Sequence, residues 1–526
     1  MTRHILSALT ALVLGGVTLA AAPAALAQGK TLRMVPYADL KVLDPFFTTA
    51  YITRNFGFMV YDTLFAPDAK GVPQPQMVAS YKTSDDGKRW TFTLRDGLKF
   101  SDGTPVRAAD CVASLQRWQK RDNVGVAMTA AGGQWSAIDD KTFTLTLEKP
   151  FGLVLDGLAK VASYPAFILP ERLARTPDTA PLNEVVGSGP YIFKRDEWVP
   201  GNKLVFLRNP LYVGRSEPPS GLAGNKTSHV DRVEWMILPD SNSAVAALKN
   251  NEVDMIEEVP PDYIQPLRSD PNVRVGVTGN TQAYIITNFL NPPFNNPKAR
   301  QALLHVVDQD KFTTAMGYPD DMRLKYCATF FICGSPSDTS AGSAPYAKPD
   351  MATAKRLLAE SGYKGEKVAV LLPTDVAYLN SATLVAIQAM QEMGMNVDVQ
   401  AMDWATETAR RAKKTPVDQG GWNVYLSSAA EYSVNSPINS TYLGAACGNG
   451  LPGWPCDPQL DELRAKWIAA TDPAERKTLL DRFQERAYES VPYIPVGQYS
   501  RVYAVRKTLG HSDRLWGLPN VWVLDK

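Results

Sequence analysis

Apolar and polar residues alternate with period two at the start of the segment 90–118, WTFTLRDGLKFSDGTPVRAADCVASLQRW. Large apolar residues at its first, third and fifth positions are separated by threonines, which is typical of a half-buried β-strand. Asp96-Gly97 then supplies turn residues, and residues 98–100 resume the apolar pattern. The segment therefore predicts a β-hairpin that reverses at Asp96-Gly97.

A second turn, residues 101–105, leads into a predicted helix. Ala108, Cys111, Val112 and Leu115 fall at positions i, i+3, i+4 and i+7, which share one helix face. A reactive thiol needs an exposed, electropositive setting. We therefore interpret Cys111 as a buried structural residue rather than a nucleophile.

Farther along the chain, short apolar runs alternate with helical patterns, which is typical of right-handed crossovers in a sheet with parallel pairs. The predicted strands of a first series are 233–238, 253–257 and 273–277. A second series opens with a helix capped by Asp350 and includes a helix that ends at Gly394. Its predicted strands are 367–373, 395–403 and 422–427, which makes a βαβαβ lobe.

The tail, residues 491–511, alternates again like strand material, and no sizeable helical segment follows it. The simplest arrangement returns this tail to an earlier sheet. Two lobes would then be joined by more than one crossing strand, which makes a hinge.

The amino terminus has the pattern of an export signal. Arg3 and His4 precede a long apolar run that ends in Ala25-Leu26-Ala27, so cleavage is expected after Ala27. A membrane anchor is the alternative, but Gly15-Gly16 and Pro23 interrupt the run. No Cys follows the run to carry a lipid anchor. We expect residues 1–27 to be a signal peptide and the protein to be free in the periplasm.

Composition limits the possible partners. The chain has 55 basic and 54 acidic residues, so its formal net charge is +1. Proteins that bind nucleic acid or anionic membranes carry a strong excess of Lys and Arg, and this chain has no such excess. Neither is therefore expected as a partner. Removal of the signal leaves roughly 500 residues, enough for two or three domains. Because no phosphate-cradling GxxxxGK[ST] motif occurs and no GxGxxG follows a predicted strand, we expect no cofactor.

The five Cys residues are compatible with disulfides in an oxidising compartment. Cys327, Cys333, Cys447 and Cys456 allow three pairings, and the short spacings favour the two local ones. Each closed loop contributes roughly 2 to 3 kcal/mol by restricting the unfolded chain. No metal site is expected, because the remaining histidines are scattered, at His229, His305 and His511.

The segment 90–118 closely resembles the signature of the family 5 extracellular solute-binding proteins of ABC transporters, which include oligopeptide-, dipeptide- and nickel-binding members. Other segments of the chain agree with that family in order: LDPFFTTAYITRNFGFMVYDTLF, GSGPYIFKRDEWVPGNKLVFLRNPLYVG, FNNPKARQALLHVVDQDKF, DMATAKRLLAESGY and YIPVGQYSRVYAV. The resemblance covers essentially the whole chain after the signal. It implies that the segment 90–118 is framework.

The resemblance also implies an α/β fold of the type II periplasmic-binding-protein kind, with two lobes, a hinge and an extra subdomain. Lobe I would comprise 28–67, 188–280 and 491–526, the extra subdomain 68–187, and lobe II 281–490. Such a protein acts as the substrate-binding component of an ABC importer, without enzymatic activity. Its partners would be a small-molecule or peptide ligand and an ABC permease in the inner membrane, and we expect it to be a monomer.

In peptide-binding relatives, a carboxylate after a Trp-containing strand of lobe II pairs with the amino terminus of the ligand. The corresponding region here is 420–442, in which Glu431 is the only acidic residue and no Asp occurs. An ammonium buried without a counter-charge would lose roughly 2 to 5 kcal/mol of binding energy. Ordinary peptide binding therefore requires Glu431 to take the place of the usual Asp. No His lies in this region to contact a nickel chelate.

A small aromatic or zwitterionic solute is also compatible with this region. Aromatic residues and hydroxyls would line its site, and core packing is the alternative role for each of the aromatics. The candidate ligand contacts are Tyr51, Trp404, Trp422, Tyr425, Ser427, Ser428, Glu431 and Tyr432.

Two other classes of function remain possible from the residues alone. Paired carboxylates need no fixed spacing, so a secreted carboxylate-dependent hydrolase acting in the same cleft is the main alternative. A structural or adhesive envelope protein is the third. No nucleophile-elbow motif GxSxG occurs in the chain to support an enzyme.

Overall fold

The computed structural model describes residues 29–162, 164–177, 181–440, 442–444, 447, 451–510 and 520–525. The predicted signal peptide, residues 1–27, lies outside the described residues, as does His511.

The strands are β1 (Thr31–Val35), β2 (Phe65–Pro67), β3 (Pro73–Pro75), β4 (Val78–Thr83), β5 (Arg89–Leu94), β6 (Gln134–Ala137), β7 (Thr142–Thr146), β8 (Tyr191–Phe193), β9 (Lys203–Arg208), β10 (Arg232–Met236), β11 (Met255–Ile256), β12 (Val273–Thr287), β13 (Arg323–Leu324), β14 (Lys367–Pro373), β15 (Asn396–Met402), β16 (Val424–Ala430) and β17 (Ile494–Arg506).

The helices are α1 (Tyr51–Val60), α2 (Ala108–Trp118), α3 (Asn123–Ala130), α4 (Val154–Leu158), α5 (Glu171–Ala174), α6 (Ser241–Lys249), α7 (Pro261–Arg268), α8 (Pro297–Leu304), α9 (Gln309–Ala315), α10 (Met351–Glu360), α11 (Ala377–Met393), α12 (Trp404–Arg411), α13 (Pro458–Ala469) and α14 (Pro473–Ser490).

The described residues form one large mixed sheet of eleven strands, in the order β15-β14-β16-β12-β17-β11-β1-β10-β9-β8, with β13 paired to β17 off this path. As the alternating strand and helix pattern predicts, the sheet contains parallel pairs: β14 with β15, and β1 with both β10 and β11. The helix predicted after Asp350 is α10, and the Asp350 carboxylate accepts from Thr353 N at 3.0 Å.

Two long antiparallel strands, β12 and β17, lie at the centre of this sheet, and we call them the crossing strands. They pair from Val273 opposite Arg506 to Ile285 opposite Ile494, with irregularities near residue 278 and after residue 283. β17 also pairs with β11 on one side of the sheet, whereas the second half of β12 pairs with β16 on the other. The tail, residues 491–511, therefore returns to an earlier sheet, as predicted. The two crossing strands connect the two halves of that sheet.

The beginning of the segment 90–118 forms most of β5, which belongs to a separate four-stranded antiparallel sheet of order β4-β5-β7-β6. β5 has β4 on one edge and β7 on the other, so neither edge is left for residues 98–100. Those residues instead fold onto 104–106, where Val106 N donates to Leu98 O at 3.0 Å. The hairpin predicted at Asp96-Gly97 is therefore wrong, and the hairpin reverses at the second turn.

Helix α2 packs its apolar face into the core beneath that sheet. The side chain of Cys111 is completely buried, and burial raises the pKa of its thiol. Cys111 thus has the setting of a structural residue. Within the described residues, no helix combines the length and apolar character needed to cross a bilayer.

Candidate ligand-binding cleft

A cavity of about 820 Å³ lies where the chain around the small antiparallel sheet faces the second half of the large sheet. One wall is built from residues between 67 and 73 and between 153 and 161. The opposite wall comes from 332–338, from residues between 431 and 439, and from the start of α14. Asn280, on crossing strand β12, lies at the edge between the two walls. The cavity is thus bounded by segments that are far apart in the sequence.

Two hydrogen bonds to the backbone of Gly152 join the two walls of the cavity. Gly152 N donates to Ile468 O at 3.2 Å, and the guanidinium of Arg476 donates to Gly152 O at 2.8 Å. These contacts bring the turn between α13 and α14 against the segment that leads into α4.

Glu431 lies at the crossing-strand end of the cavity, directly after β16. Its carboxylate accepts from Asn280 N at 2.9 Å. A Cβ atom on Gly279 would lie 3.3 Å from the Glu431 carboxyl carbon, closer than most such contacts, so glycine leaves room for this approach. Glu431 and Tyr432 are the two candidate contacts that line this cavity.

Tyr51 lies behind Tyr432, at the first residue of α1. The two rings meet edge to face with centroids 5.0 Å apart, and Tyr51 Oη lies 2.6 Å from Ser433 Oγ. Burial raises the pKa of Tyr51 to about 12, so its hydroxyl stays protonated at neutral pH. Tyr51 does not line the cavity but supports the residue that does.

Arg54, one turn farther along α1, was missed by the sequence analysis. Its guanidinium lies 4.3 Å from the Tyr432 ring centroid and 4.9 Å from that of Tyr51. Asn55 Oδ1 accepts from Arg54 Nε at 3.0 Å and from Nη2 at 2.6 Å. The available signal was a charged residue inside the apolar run YITRNFGFMV, nearly all of which is buried.

A buried carboxylate holds Asn55 in place. Asn55 Nδ2 donates to Glu257 Oε1 at 2.6 Å, and Tyr37 N donates to Glu257 Oε2 at 3.0 Å. Burial raises the pKa of Glu257 to about 7, against the opposing effects of the Tyr37 amide and the cations Arg501 and Arg54. A carboxyl that titrates near neutral pH is therefore linked through Asn55 and Arg54 to the ring of Tyr432.

Ser427 and Ser428 lie on β16, which leads to Glu431. Both are half-buried, and Ser428 Oγ lies 3.4 Å from the hydroxyl of Tyr378. Neither serine lines the cavity. They border it along the strand.

The remaining aromatic candidates surround Arg411. Trp422 is completely buried and its indole donates to Arg411 O at 3.0 Å, while the ring centroids of Tyr425 and Trp404 lie 4.1 and 4.2 Å from the Arg411 guanidinium. Arg411 is in turn paired with the buried Glu407. The structure places these three rings in packing around an internal cation, away from the cavity wall.

The four disulfide candidates form the two local pairs, Cys327 with Cys333 and Cys447 with Cys456. Cys333 lines the cavity, so the first disulfide is part of its wall. Among the described residues, no three His, Cys, Asp or Glu side chains gather where they could hold a metal ion.

The cavity lies between two parts of an α/β protein that are joined by the crossing strands. Such a cavity is typical of a protein that encloses a solute. Residues 72–450 match the bacterial extracellular solute-binding proteins, family 5 Middle. A probable peptide ABC transporter periplasmic-binding protein of Sinorhizobium fredii is 38% identical over 496 residues, which cover 93% of this chain and 92% of the relative. The chain therefore belongs to the family 5 bacterial extracellular solute-binding proteins.

Solved structures agree on the fold. The periplasmic binding protein DppA from Helicobacter pylori, in complex with the peptide STSA, matches with a TM-score of 0.76 and 21% identity, over 94% of this chain and 98% of DppA. The binding protein AgaA from A. tumefaciens R10, in complex with agropinic acid, matches with a TM-score of 0.76 and 23% identity, over the same shares of the two chains. The predicted type II periplasmic-binding-protein fold is confirmed.

Membership of this family also decides the class of function. The protein is a solute-binding component of an ABC importer, not an enzyme, and the hydrolase alternative has no support. Its partners are a solute and the membrane part of the transporter, and its place is the periplasm or the cell exterior.

Proposed function

We propose that the protein captures a peptide or a small zwitterionic solute in the cavity and delivers it to an ABC permease in the inner membrane. The observation that carries this proposal is the carboxylate of Glu431 at the crossing-strand end of a cavity of about 820 Å³. That volume lies within the range of small-molecule sites. A carboxylate held there by a backbone amide is suited to pair with a ligand ammonium.

In this proposal Glu431 and Tyr432 contact the ligand directly. Tyr51, Ser427 and Ser428 border the site and support it. Trp404, Trp422 and Tyr425 act from behind β16 by holding Arg411. This division follows from which of the side chains line the cavity.

The domain organisation belongs to the same proposal. Lobe I comprises 28–67, 188–280 and 491–526, with the extra subdomain at 68–187, and lobe II comprises 281–490. The crossing strands support this division, because β12 enters the second half of the sheet after residue 280. Cleavage after Ala27 would make Gln28 the first residue of the mature protein, which acts as a periplasmic monomer.

Calorimetry with a panel of solutes tests the ligand class. The panel contains the peptide Ser-Thr-Ser-Ala, its N-acetylated form, agropinic acid and a set of dipeptides, since a peptide and agropinic acid are bound by proteins of the same fold. We expect a Kd in the micromolar range or below for at least one amine-bearing member, which corresponds to about −8 kcal/mol. Failure of every member to bind or to raise the Tm would contradict the proposal.

The role of Glu431 is tested with the same panel. Glu431→Gln keeps the size of the side chain and removes its charge, so affinity for an amine-bearing ligand should fall at least about 30-fold, equivalent to roughly 2 kcal/mol. The N-acetylated peptide should bind weakly to both proteins. Equal affinity of the two proteins for the free peptide would rule out Glu431 as the anchor.

A further inference from the structure

The cavity wall at 332–338 belongs to a segment without its own helix or strand. Residues 325–343 contain neither, although Cys327, Phe330, Phe331 and Ile332 are all buried. Buried backbone groups need hydrogen-bond partners, and a loop cannot supply them from a regular ladder. Residues outside the loop must therefore form hydrogen bonds with its buried backbone groups.

Glutamine side chains form these hydrogen bonds. Each of them donates through its side-chain nitrogen and accepts at its side-chain oxygen. Gln309, on α9, donates to Cys327 O at 3.0 Å and accepts from Cys327 N at 2.8 Å. Gln484, on α14, accepts from Thr329 Oγ1 at 2.7 Å and donates to Ala341 O at 3.0 Å. The two ends of the loop are thus tied to two different helices.

Gln498 makes the same kind of contact at the part of the loop nearest the cavity. Its side chain, on crossing strand β17, donates to Phe331 O at 2.6 Å and accepts from Cys333 N at 3.1 Å. Gln282, its direct partner on crossing strand β12, donates to the same Phe331 O at 2.9 Å. Gln498 is 2% exposed and Gln282 is completely buried.

The alternation of side chains along a strand connects this support to the ligand site. Asn280 lies two residues before Gln282, with regular pairing between them, so both side chains are on the same face of β12. Asn280 lines the cavity, and its backbone amide donates to the carboxylate of Glu431. Two positions of β12 that are two residues apart therefore hold the two parts of the wall: the backbone amide of Asn280 holds the Glu431 carboxylate, and the side chain of Gln282 holds the loop.

We propose that Gln498 and the Cys327–Cys333 disulfide are positioning groups of the ligand site: they hold the 332–338 wall at a set separation from Glu431 and so determine which ligands fit. This inference rests on the proposed use of the cavity for the ligand. The disulfide ties Cys333 to Cys327, whose backbone Gln309 holds, and Gln498 ties the same Cys333 to the crossing strands. Loss of either tie frees one side of the wall.

Hydrogen exchange followed by mass spectrometry tests the first part on the full mature protein. Gln498→Met keeps the bulk of the side chain but removes both of its hydrogen bonds. Gln76→Met is the matched control, because Gln76 is completely buried and also uses its side-chain amide to bind backbone groups. Its Nε2 donates to Gly224 O at 3.2 Å, and its Oε1 accepts from Gly224 N at 3.1 Å. Gly224 does not line the cavity.

We expect exchange of the amides in 331–335 to be at least tenfold faster in Gln498→Met than in the wild type, and unchanged in Gln76→Met. Equal exchange in both variants would overturn the inference. The disulfide is tested with Cys327→Ser/Cys333→Ser, for which Cys447→Ser/Cys456→Ser is the matched control, since that pair closes a similar short loop away from this cavity. Faster exchange of 331–335 is expected in the first variant alone.

Ligand affinity distinguishes positioning from a purely structural role. With Ser-Thr-Ser-Ala and agropinic acid as probes, the Kd of Gln498→Met should rise at least tenfold over that of Gln76→Met, although both variants lose a similar clasp and should have a similar Tm. A faster-exchanging wall with unchanged Kd would overturn the inference. If neither these probes nor any other member of the panel binds the wild type, the proposed ligand class fails, and the exchange of 331–335 alone decides whether Gln498 holds the wall.

Discussion

The guanidinium of Arg54 lies 4.3 Å from the ring centroid of Tyr432. A cation from the first helix thus contacts an aromatic ring that lines the ligand cavity and belongs to the other end of the sheet. Arg54 is 2% exposed, so this contact is almost completely desolvated, a setting in which cation–π attraction is strongest. Asn55 Oδ1 accepts from this guanidinium, and Glu257 in turn holds the Asn55 amide.

Replacement of Arg54 should destabilise the protein. In Arg54→Met, Asn55 Oδ1 loses both of its guanidinium donors in a buried site, and we expect the free energy of unfolding in urea to fall by about 2 kcal/mol or more. Arg356→Met is the control, because Arg356 makes an exposed ion pair with Glu360 within one helix, and its loss should cost about 0.5 kcal/mol or less. Equal losses in both variants would contradict the role given to Arg54.

Stability should depend on the titration of Glu257. Its pKa is about 7 in the folded protein and close to the ordinary 4.5 in the unfolded chain, so the folded state binds more protons between these values. The free energy of unfolding should therefore fall as pH rises from about 5 to about 8, by at most about 3 kcal/mol from this group.

The variant Glu257→Gln isolates this contribution, because its side chain does not titrate. Urea unfolding at pH 5, 6, 7 and 8 should give a difference between wild type and variant that shrinks or reverses toward high pH. The histidines are present in both proteins, so their contribution cancels in this difference. A constant difference at all four pH values would show that Glu257 does not titrate in this window.

Gly279 should be required for the placement of Glu431. A methyl group at this position would lie 3.3 Å from the Glu431 carboxyl carbon and push the carboxylate away from Asn280. We expect Gly279→Ala to weaken ligand binding about three- to tenfold in calorimetry, a loss of roughly 1 kcal/mol. Gly510→Ala, where the added methyl group meets Asp525 at an ordinary 3.5 Å, should bind like the wild type.

Two aromatic candidates should separate stability from binding. Trp422→Leu removes a completely buried ring and its hydrogen bond to Arg411 O, so we expect a loss of roughly 2 to 4 kcal/mol in stability with little change in Kd. Tyr432→Leu should weaken binding, because its ring lines the cavity. Weaker binding in Trp422→Leu at a temperature where it is fully folded would return Trp422 to the ligand contacts.

Local elements were predicted well where periodicity and caps agree. The predicted strand at 367–373 is β14, and the helix expected to end at Gly394 is α11, closed by that glycine in the left-handed conformation. The first-series strand at 273–277 was predicted too short, because the polar run Thr278 to Gln282 breaks the apolar pattern. In the structure these residues are nonetheless strand, since β17 pairs with them along one edge and β16 takes up the other edge from Thr281 onward.

The sequence by itself indicated the alternating strand and helix pattern and favoured the two local disulfides, because both depend on residue order over short distances. The type II fold and the choice of Glu431 as the available carboxylate came from the resemblance of the whole chain to family 5, and the export signal stays a prediction. Only the tertiary structure decided which candidates meet at the cavity. It placed Trp422 and Tyr425 around Arg411, brought Arg54 onto Tyr432, and set Gln498 against the disulfide loop. The contacts of Arg54 with Tyr432 and of Gln498 with Phe331 join residues more than 150 positions apart in the chain. All of these contacts depend on how strands pair and helices pack, which no local pattern records.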